Sequence, residues 1–394
     1  MPKTYLDYAA TTPCDPKVTR AMSVFLKKDF GNPSSIHNFG QKASMAIGGA
    51  RQSVAEFLGC ESEEIVFTGS ATEADNLAIF GTVKASKITK PHIITSQIEH
   101  PAVLESCREL EKQGAEITYL PVNKDGVVEI AELKKALRPN TLLVSIIYAN
   151  NEVGTIQPIA EIGELIGHAM SSGHRMSKIY FHTDAVQAAN FLDCDVKKLG
   201  VDLLTLSAHK IYGPKGIGAL YVKKGTPIAP VIYGGGHERG LRSGTENVAG
   251  IVGLGQAIKE IQNPKLKIQN IKIRQFRDKL IKTILKIIPG SRLNGSLTQR
   301  LANNVNISFD GAEGEAIIVM LDQKGIAAST GSACSSGSLE PSHVLLAMGL
   351  SEEQAHGSLR LTLGKLTTQQ DIEKVFKVLP TVIQRLRKIS GYHS

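Results

Sequence analysis

Between about residue 60 and residue 225 the chain switches repeatedly between short apolar runs and stretches of helical spacing, and this alternation narrows the fold more than any other feature. The runs are Ile65-Val66-Phe67, Ile93-Ile94-Thr95, Ile117-Thr118-Tyr119-Leu120, Leu142-Leu143-Val144-Ser145-Ile146-Ile147, Ile179-Tyr180-Phe181, Leu203-Leu204-Thr205-Leu206 and Ala219-Leu220-Tyr221-Val222. Several lack the every-other-residue polarity of a half-solvated strand, so they read as strands covered on both faces. The intervening stretches 72–86 and 101–113 have helical spacing. Strands alternating with helices predict an α/β domain built on a mainly parallel, seven-stranded sheet. Ligands of such sheets bind beyond the carboxyl ends of the strands, so the chemistry is sought just after each one.

Past about residue 255 the pattern changes. A long basic helix precedes Asn304-Val305-Asn306-Ile307-Ser308-Phe309, followed by more helices and short strands, which reads as a smaller α+β domain. Much of the net charge of +8 lies in 264–288, where Lys265, Lys267, Lys272, Arg274, Arg277, Lys279, Lys282 and Lys286 stand against Asp278. Ile273, Phe276, Leu280, Ile284 and Ile287 recur there at three- and four-residue steps, one apolar face with the basic residues mostly opposite. A solvated helix face accounts for such a run, and docking of an acidic partner is the other reading. One aromatic and no binding motif argue against direct nucleic-acid contact.

No apolar run approaches the roughly 20 residues that span a bilayer, and Met1 to Asp7 contain no apolar signal core. The expectation is a cytoplasmic protein without membrane contact. The five cysteines are odd in number, widely spaced and free of any CxxC, which argues against a disulfide framework or a zinc ribbon. Cys14, Cys60, Cys107 and Cys194 read as small buried hydrophobes. Cys334 differs, because ten of the eleven residues in 328–338 are small and nothing there anchors to a core. An exposed loop thiol of that kind suits a nucleophile that must visit two places, although an incidental loop cysteine would look the same.

Three strand ends carry chemistry. The first run enters Thr68-Gly69-Ser70-Ala71-Thr72-Glu73 and then a helix, offering backbone N–H groups and hydroxyls to a phosphate. Ser and Thr are also ordinary helix caps, so this signal alone is weak. Next, Asp184 follows the run at 179–181, where a carboxylate leaving a buried strand needs a partner. A protonated pyridine nitrogen would serve, and so would a helix N-terminus. Finally, Lys210 follows the run at 203–206 and precedes the turn Ile211-Tyr212-Gly213-Pro214. Lysines are seldom buried without a task, and a desolvated amine can condense with an aldehyde. An Asp and a Lys at strand ends, about 25 residues apart, are explained together by one cofactor, pyridoxal 5'-phosphate (PLP).

The stretches Tyr5-Leu6-Asp7-Tyr8-Ala9-Ala10-Thr11-Thr12-Pro13, Gly31-Asn32-Pro33-Ser34-Ser35, Ala71-Thr72-Glu73-Ala74-Asp75-Asn76, Glu99-His100-Pro101-Ala102-Val103, Asn150-Asn151-Glu152-Val153-Gly154 and His182-Thr183-Asp184-Ala185-Val186-Gln187 go further. So do Ser207-Ala208-His209-Lys210, Gly213-Pro214-Lys215-Gly216-Ile217-Gly218, Gly234-Gly235-Gly236-His237-Glu238-Arg239, Arg242-Ser243-Gly244-Thr245, Gly331-Ser332-Ala333-Cys334, Leu339-Glu340-Pro341 and Leu359-Arg360. In this order, across almost the whole chain, they resemble a group I cysteine desulfurase of the NifS/IscS family, within the class V aminotransferase superfamily. The resemblance implies the PLP-dependent transferase fold type I. It implies an N-terminal segment at 1–15 packing with the small domain, a large PLP-binding domain at 16–255, and a small domain at 256–394 carrying the Cys334 loop. The implied reaction converts L-cysteine to L-alanine and leaves the sulfur on Cys334 as a persulfide, for iron–sulfur cluster assembly or another acceptor.

The same resemblance assigns roles. Lys210 would bind the cofactor's aldehyde carbon, Asp184 its pyridine nitrogen and Gln187 its phenolate oxygen. His100 would stack on the ring and move protons. Ser70, Ala71, Thr72, Ser207 and His209 would hold the phosphate, and Thr245 the phosphate of a neighbouring subunit, so a homodimer is implied. Asn151, beside the cofactor, and Arg360 would hold the substrate carboxylate, with Arg239 and Arg242 as rivals for that clamp. Ala208 stands where one branch has glycine. The chain stops at Gly391-Tyr392-His393-Ser394, short of the longer tail of the IscS branch, which points to a NifS-like short form and leaves docking of an IscU-type scaffold open.

Rival readings remain at this stage. Another fold-type-I enzyme, such as an aminotransferase, an epimerase or a selenocysteine lyase, would use the same cofactor residues. A metalloenzyme would draw on His100, His182, Asp184, His209 and Cys334, yet no HExxH or close ligand pair supports a metal. A basic binding protein would use the helix near residue 264.

Overall fold

The computed structural model describes residues 3–171, 178–331 and 340–392, so Cys334 lies outside the described residues. All seven apolar runs are strands of one sheet, in the order Ile65–Thr68, Gly218–Val222, Leu203–Ser207, Tyr180–Asp184, Thr141–Ser145, His92–Ser96 and Glu116–Leu120. Gly218–Val222 runs antiparallel to both neighbours, and every other pairing is parallel. Strands Ile65–Thr68, His92–Ser96, Thr141–Ser145, Leu203–Ser207 and Gly218–Val222 are buried at every position, as strands without polar alternation must be. Glu116–Leu120, at one edge, is mostly half-buried.

Helices Ala71–Ala85 and Pro101–Lys112 fall where the spacing predicts them. Ser70 caps the first through its Oγ, which accepts the Glu73 N–H at 3.1 Å. One face of the sheet packs against Val54, Leu58, Ile162, Leu254 and Ile258, and the other against Leu77, Val103 and Leu110. Burying side chains of this size contributes about 1.5–3 kcal/mol each.

Two strand ends differ from the sequence pattern in ways that matter. The run 142–147 stops being strand at Ser145, and Ile146 and Ile147 carry the chain outward. The run beginning at Ile179 continues as strand through Asp184, so that carboxylate occupies the strand's last position, 5% exposed. No helix follows it within hydrogen-bonding reach. Asp184 Oδ1 instead accepts the N–H of Val186 at 2.9 Å.

A second sheet, Ser358–Thr362, Asn304–Phe309 and Ser291–Leu293, is antiparallel and three-stranded. It shares a separate apolar core with helices Pro264–Ile287, Gly314–Gln323 and Gln369–Ser390. Within the basic helix Ile273, Phe276, Leu280 and Ile284 face this core, but Ile287 is 40% exposed. Arg277 is also buried, donating to the carbonyls of Arg300 and Leu301 and pairing with Asp278. Leu266, at the start of the helix, belongs to the core of the large sheet, so this helix joins the two cores.

The N-terminal segment bridges the same two bodies. Thr4–Tyr5 pairs in parallel with Ile326–Ala327, and Leu6 is buried in the smaller core. Of the four described cysteines, Cys107 and Cys194 are buried, Cys60 is half-buried and Cys14 is exposed, contrary to its reading as a buried hydrophobe. Cys14 lies between Pro13 and the helix cap Asp15, where the chain surfaces. Among the described residues no helix is long and apolar enough to cross a membrane.

Candidate active site

A cavity of about 470 Å³ opens beyond the carboxyl ends of the parallel strands. Residues far apart in the chain line it, including His100, Asn151, Asp184, Gln187, Ser207, His209, Lys210 and Arg360, with Ser70, Ala71 and Thr72 at the helix N-terminus. The topology brings them together. Most of them come at or just after the carboxyl ends of the parallel strands, which lie on one side of the large sheet, while Arg360 comes from strand Ser358–Thr362 of the smaller sheet.

Lys210 closes a single 3₁₀ turn, Ala208–Lys210, directly after its strand. Its half-buried amine donates to the carbonyls of Ala9 at 2.6 Å and Ala10 at 2.8 Å. Gln187 Nε2 donates to the same Ala9 carbonyl at 3.0 Å. His209 Nδ1 meets Thr11 Oγ1 at 3.1 Å. Burial, followed by the charges of Lys210 and Lys215, pushes His209 down to about 4.

Burial pushes Asp184 up to about 6, with the Val186 N–H and the Lys210 charge acting in the opposite direction. The Lys210 charge is the neighbour that favours its ionised form. Burial, followed by Lys210 and His343, pushes His100 down to about 4. Its Nδ1 accepts the N–H of Ala102 at 3.1 Å and caps helix Pro101–Lys112, so the neutral ring carries its proton on Nε2.

The phosphate-type subsite is built by close approach. A Cβ on Gly218 would sit 2.7 Å from the Ser70 carbonyl carbon and 2.9 Å from the Ala71 nitrogen. Only glycine lets the antiparallel strand run that close under the helix N-terminus, whose first N–H groups have no intrahelical acceptor.

Arg360 is 2% exposed, in strand Ser358–Thr362. Its Nη1 donates to the carbonyls of Asn151 at 2.9 Å and Gly331 at 3.3 Å, and Nη2 to Asp7 Oδ1 at 2.9 Å. The two rival arginines lie elsewhere: Arg239 donates to the Ile65 carbonyl, and Arg242 pairs with Glu73 at 2.8 Å. Thr245 is not brought into the cavity. Its exposed side chain borders a separate pocket with Gly69, Gly216 and Arg242.

Two buried acids here carry no assignment from sequence. Asp75 is fully buried and lines the cavity, with Oδ1 3.6 Å from His182 Nε2. Burial and the neighbouring Asp184 push it well above the usual carboxylate range. Glu99 is fully buried, with Oε1 accepting Ser96 Oγ at 2.5 Å and the Ile147 N–H at 3.0 Å. Both fall inside motifs that the sequence singles out, but a side chain's burial inside a helix or turn has no signature in the motif itself. Among the described residues no three His, Cys, Asp or Glu side chains are placed to hold a metal ion.

The family model described as aminotransferase class-V matches residues 4–375. The chain belongs to this family. Within it, the chain is 52% identical over 386 residues to the cysteine desulfurase IscS of Methanosarcina thermophila, covering 98% of this chain and 93% of the relative. Among solved class-V structures, a NifS-like protein superposes with a TM-score of 0.87 at 36% identity, covering 99% of this chain and 100% of the other. A second, SspA in complex with cysteine, gives 0.80 at 38% identity over 93% of this chain and 100% of its own. The matched region contains both sheets, so the relationship extends to the whole cavity and is not confined to the large sheet.

Proposed function

We propose that this class-V protein is a PLP-dependent cysteine desulfurase, converting L-cysteine to L-alanine and passing the sulfur through Cys334. What supports this reading is the meeting of an amine, a buried carboxylate and a buried guanidinium in one cavity: Lys210, Asp184 and Arg360. A relative more than half identical bears the name cysteine desulfurase, and a solved relative binds cysteine.

The residues present fit the cofactor. The cavity has room for it, and the Gly218 approach leaves the Ala71 and Thr72 end of the helix open to a phosphate. Ser70, Ser207 and His209 would complete the phosphate cradle, Asp184 would face the ring nitrogen, Gln187 the phenolate oxygen and His100 the ring face. When bound, PLP supplies an aldehyde for the amino group and a ring that stores the electrons of the α-carbon.

The chain's own residues do the rest. Lys210 leaves the Ala9 and Ala10 carbonyls to hold the cofactor and moves the proton at the substrate's α-carbon. His100, neutral with its hydrogen on Nε2 and its Nδ1 committed to a backbone N–H, contributes a ring face and a donor; the base is Lys210. Asp184, whose ionised form Lys210 favours, would stabilise positive charge on the ring nitrogen. Arg360 holds the α-carboxylate, with Asn151 beside it. The Cys334 thiolate attacks the substrate sulfur, a sulfur–sulfur bond forms as the carbon–sulfur bond breaks, and alanine departs. Of the other described cysteines, burial pushes Cys60, Cys107 and Cys194 up to about 12, and exposed Cys14 does not line the cavity.

We further assign the chain to the cytoplasm, as a homodimer serving a sulfur-acceptor or iron–sulfur scaffold protein. Exposed Phe30, Ile36, Phe39 and Met45 form an apolar stretch suited to subunit contact. The test is incubation with L-cysteine while absorbance, alanine and sulfide are recorded together. Cys334→Ala is expected to keep the cofactor band at about 400 nm and to release no sulfide. Lys210→Ala is expected to lose both. Full sulfide release by Cys334→Ala would overturn the assignment.

A further inference from the structure

Among the described residues, the N-terminal segment meets the cavity through an ion pair of Asp7 with Arg360, at 2.9 Å. Asp7 is held in place from both sides. Leu6 N–H donates to the Ala327 carbonyl at 2.9 Å, Thr362 N–H to the Leu6 carbonyl at 2.7 Å, and Ala9 N–H to Thr362 Oγ1 at 2.9 Å. Asp7 and Thr362 form a parallel bridge, which sets the aspartate beside the strand that carries Arg360. The carboxylate is thus a fixed acceptor aimed at a guanidinium two residues away along the neighbouring strand.

Arginine has five N–H donors in a planar fork. Here Nη1 is committed to the Asn151 and Gly331 carbonyls, and Nη2 gives one hydrogen to Asp7 Oδ1. Among the described residues Nε is buried and has no hydrogen-bond partner. A buried unsatisfied donor is costly, and this one belongs to a residue that lines the cavity. The donors left over, Nε–H and the second Nη2 hydrogen, can lie parallel, as a carboxylate accepts them. The tethers on Nη1 and Nη2 determine which edge of the guanidinium remains for an incoming carboxylate.

We propose that Asp7 is a positioning residue for the substrate's α-carboxylate: by taking one Nη2 hydrogen it orients Arg360 so that the Nε edge receives that carboxylate. This rests on the reading of Arg360 as the carboxylate clamp. Asp7 itself does not line the cavity. Its carboxylate also offsets the Arg360 charge, so the ion pair trades long-range attraction for geometry, and the two contributions can be separated. Asn at position 7 keeps an oxygen acceptor and loses the charge, whereas Ala loses both.

The experiment measures KM and kcat for L-cysteine in the PLP-loaded Asp7→Ala, Asp7→Asn and Arg360→Ala variants, with cysteamine, which lacks a carboxylate, as a second substrate. Asp7→Ser, too short to reach Nη2, stands in if Asp7→Ala does not fold. The expected result for Asp7→Ala is a KM for L-cysteine raised about tenfold, the loss typical of one charge-assisted hydrogen bond, with kcat less affected. Its cofactor band and its KM for cysteamine should be unchanged. Asp7→Asn should stay within about threefold of the parent. A KM for L-cysteine that is unchanged or lowered in Asp7→Ala, while Arg360→Ala raises it, overturns the role of Asp7 and leaves the clamp standing. An equal rise for cysteamine also overturns it, since the disturbance would then not be of carboxylate binding. If Arg360→Ala leaves KM unchanged, the clamp fails, and the inference about Asp7 fails with it.

Discussion

Glu99 offers a test of the buried electrostatics that does not depend on turnover. Burial pushes its carboxyl from an ordinary value near 4.5 up to about 8, against the Ser96 and Ile147 hydrogen bonds that work to lower it, and with Asp184 adding to the rise. The folded state therefore keeps Glu99 protonated where the unfolded chain has already released the proton. Because the folded value lies above the unfolded one, the stabilisation is complete below about pH 4.5 and is lost as pH rises toward 8, beyond which both states are ionised and the loss levels off. Glu99→Gln keeps an oxygen for Ser96 Oγ and the Ile147 N–H but cannot ionise. At 1.36 kcal/mol per unit, its advantage over the parent grows from about 2 kcal/mol at about pH 6 to about 4–5 kcal/mol at about pH 8.5. For a chain of 394 residues, an unfolding entropy near 2.1 cal/mol/K per residue turns that difference into a midpoint shift of about 3 °C. Thermal unfolding of both proteins at the two pH values reads it directly. A gap between variant and parent that does not widen with pH would show that Glu99 is not held neutral and would refute the reasoning.

Further outcomes follow from other parts of the molecule. Asp184→Asn should still bind the cofactor through Lys210 and the helix N-terminus but lower kcat about 10²-fold or more, read by steady-state kinetics, because a preorganised charge is removed. Arg51→Met should cost about 3–5 kcal/mol of stability in denaturant titrations, since it strands Glu238, which is buried and also accepts the Phe67 N–H at 2.9 Å. Iodoacetamide at neutral pH should label exposed Cys14 and leave buried Cys107 and Cys194 intact in the native protein, as peptide mass mapping would show.

Much of the fold was legible because strands buried on both faces have nowhere to put polar residues. The seven runs stand out for that reason, and the helices between them show their spacing. The strand ends were less legible. The sequence pattern stopped one strand at Phe181, whereas hydrogen bonding carries it to Asp184, because His182 and Thr183 are polar yet fully buried and satisfied. His182 Nδ1 meets Ser145 Oγ at 2.8 Å, and Thr183 Oγ1 donates to the Ile146 carbonyl at 2.7 Å. A polarity pattern cannot distinguish a polar residue with a buried partner from one facing water. The same blindness hid Arg277, whose charge is spent on two carbonyls inside the helix packing.

The sequence by itself determined the class of chemistry, since a strand-end Asp, a strand-end Lys and a helix opened by Gly69-Ser70 are local facts that survive without coordinates. Tertiary structure alone decided which arginine enters the cavity, that His100 spends Nδ1 on a helix cap, that Asp75 lies buried on the cavity wall beside His182, and that Asp7 reaches across to Arg360. Each of those depends on distance between residues far apart in the chain, 353 positions in the last case. Side-chain type says what a group can do. Only the packing of strands and helices sets what it meets, and with it the charge it carries and the bonds it has left to give.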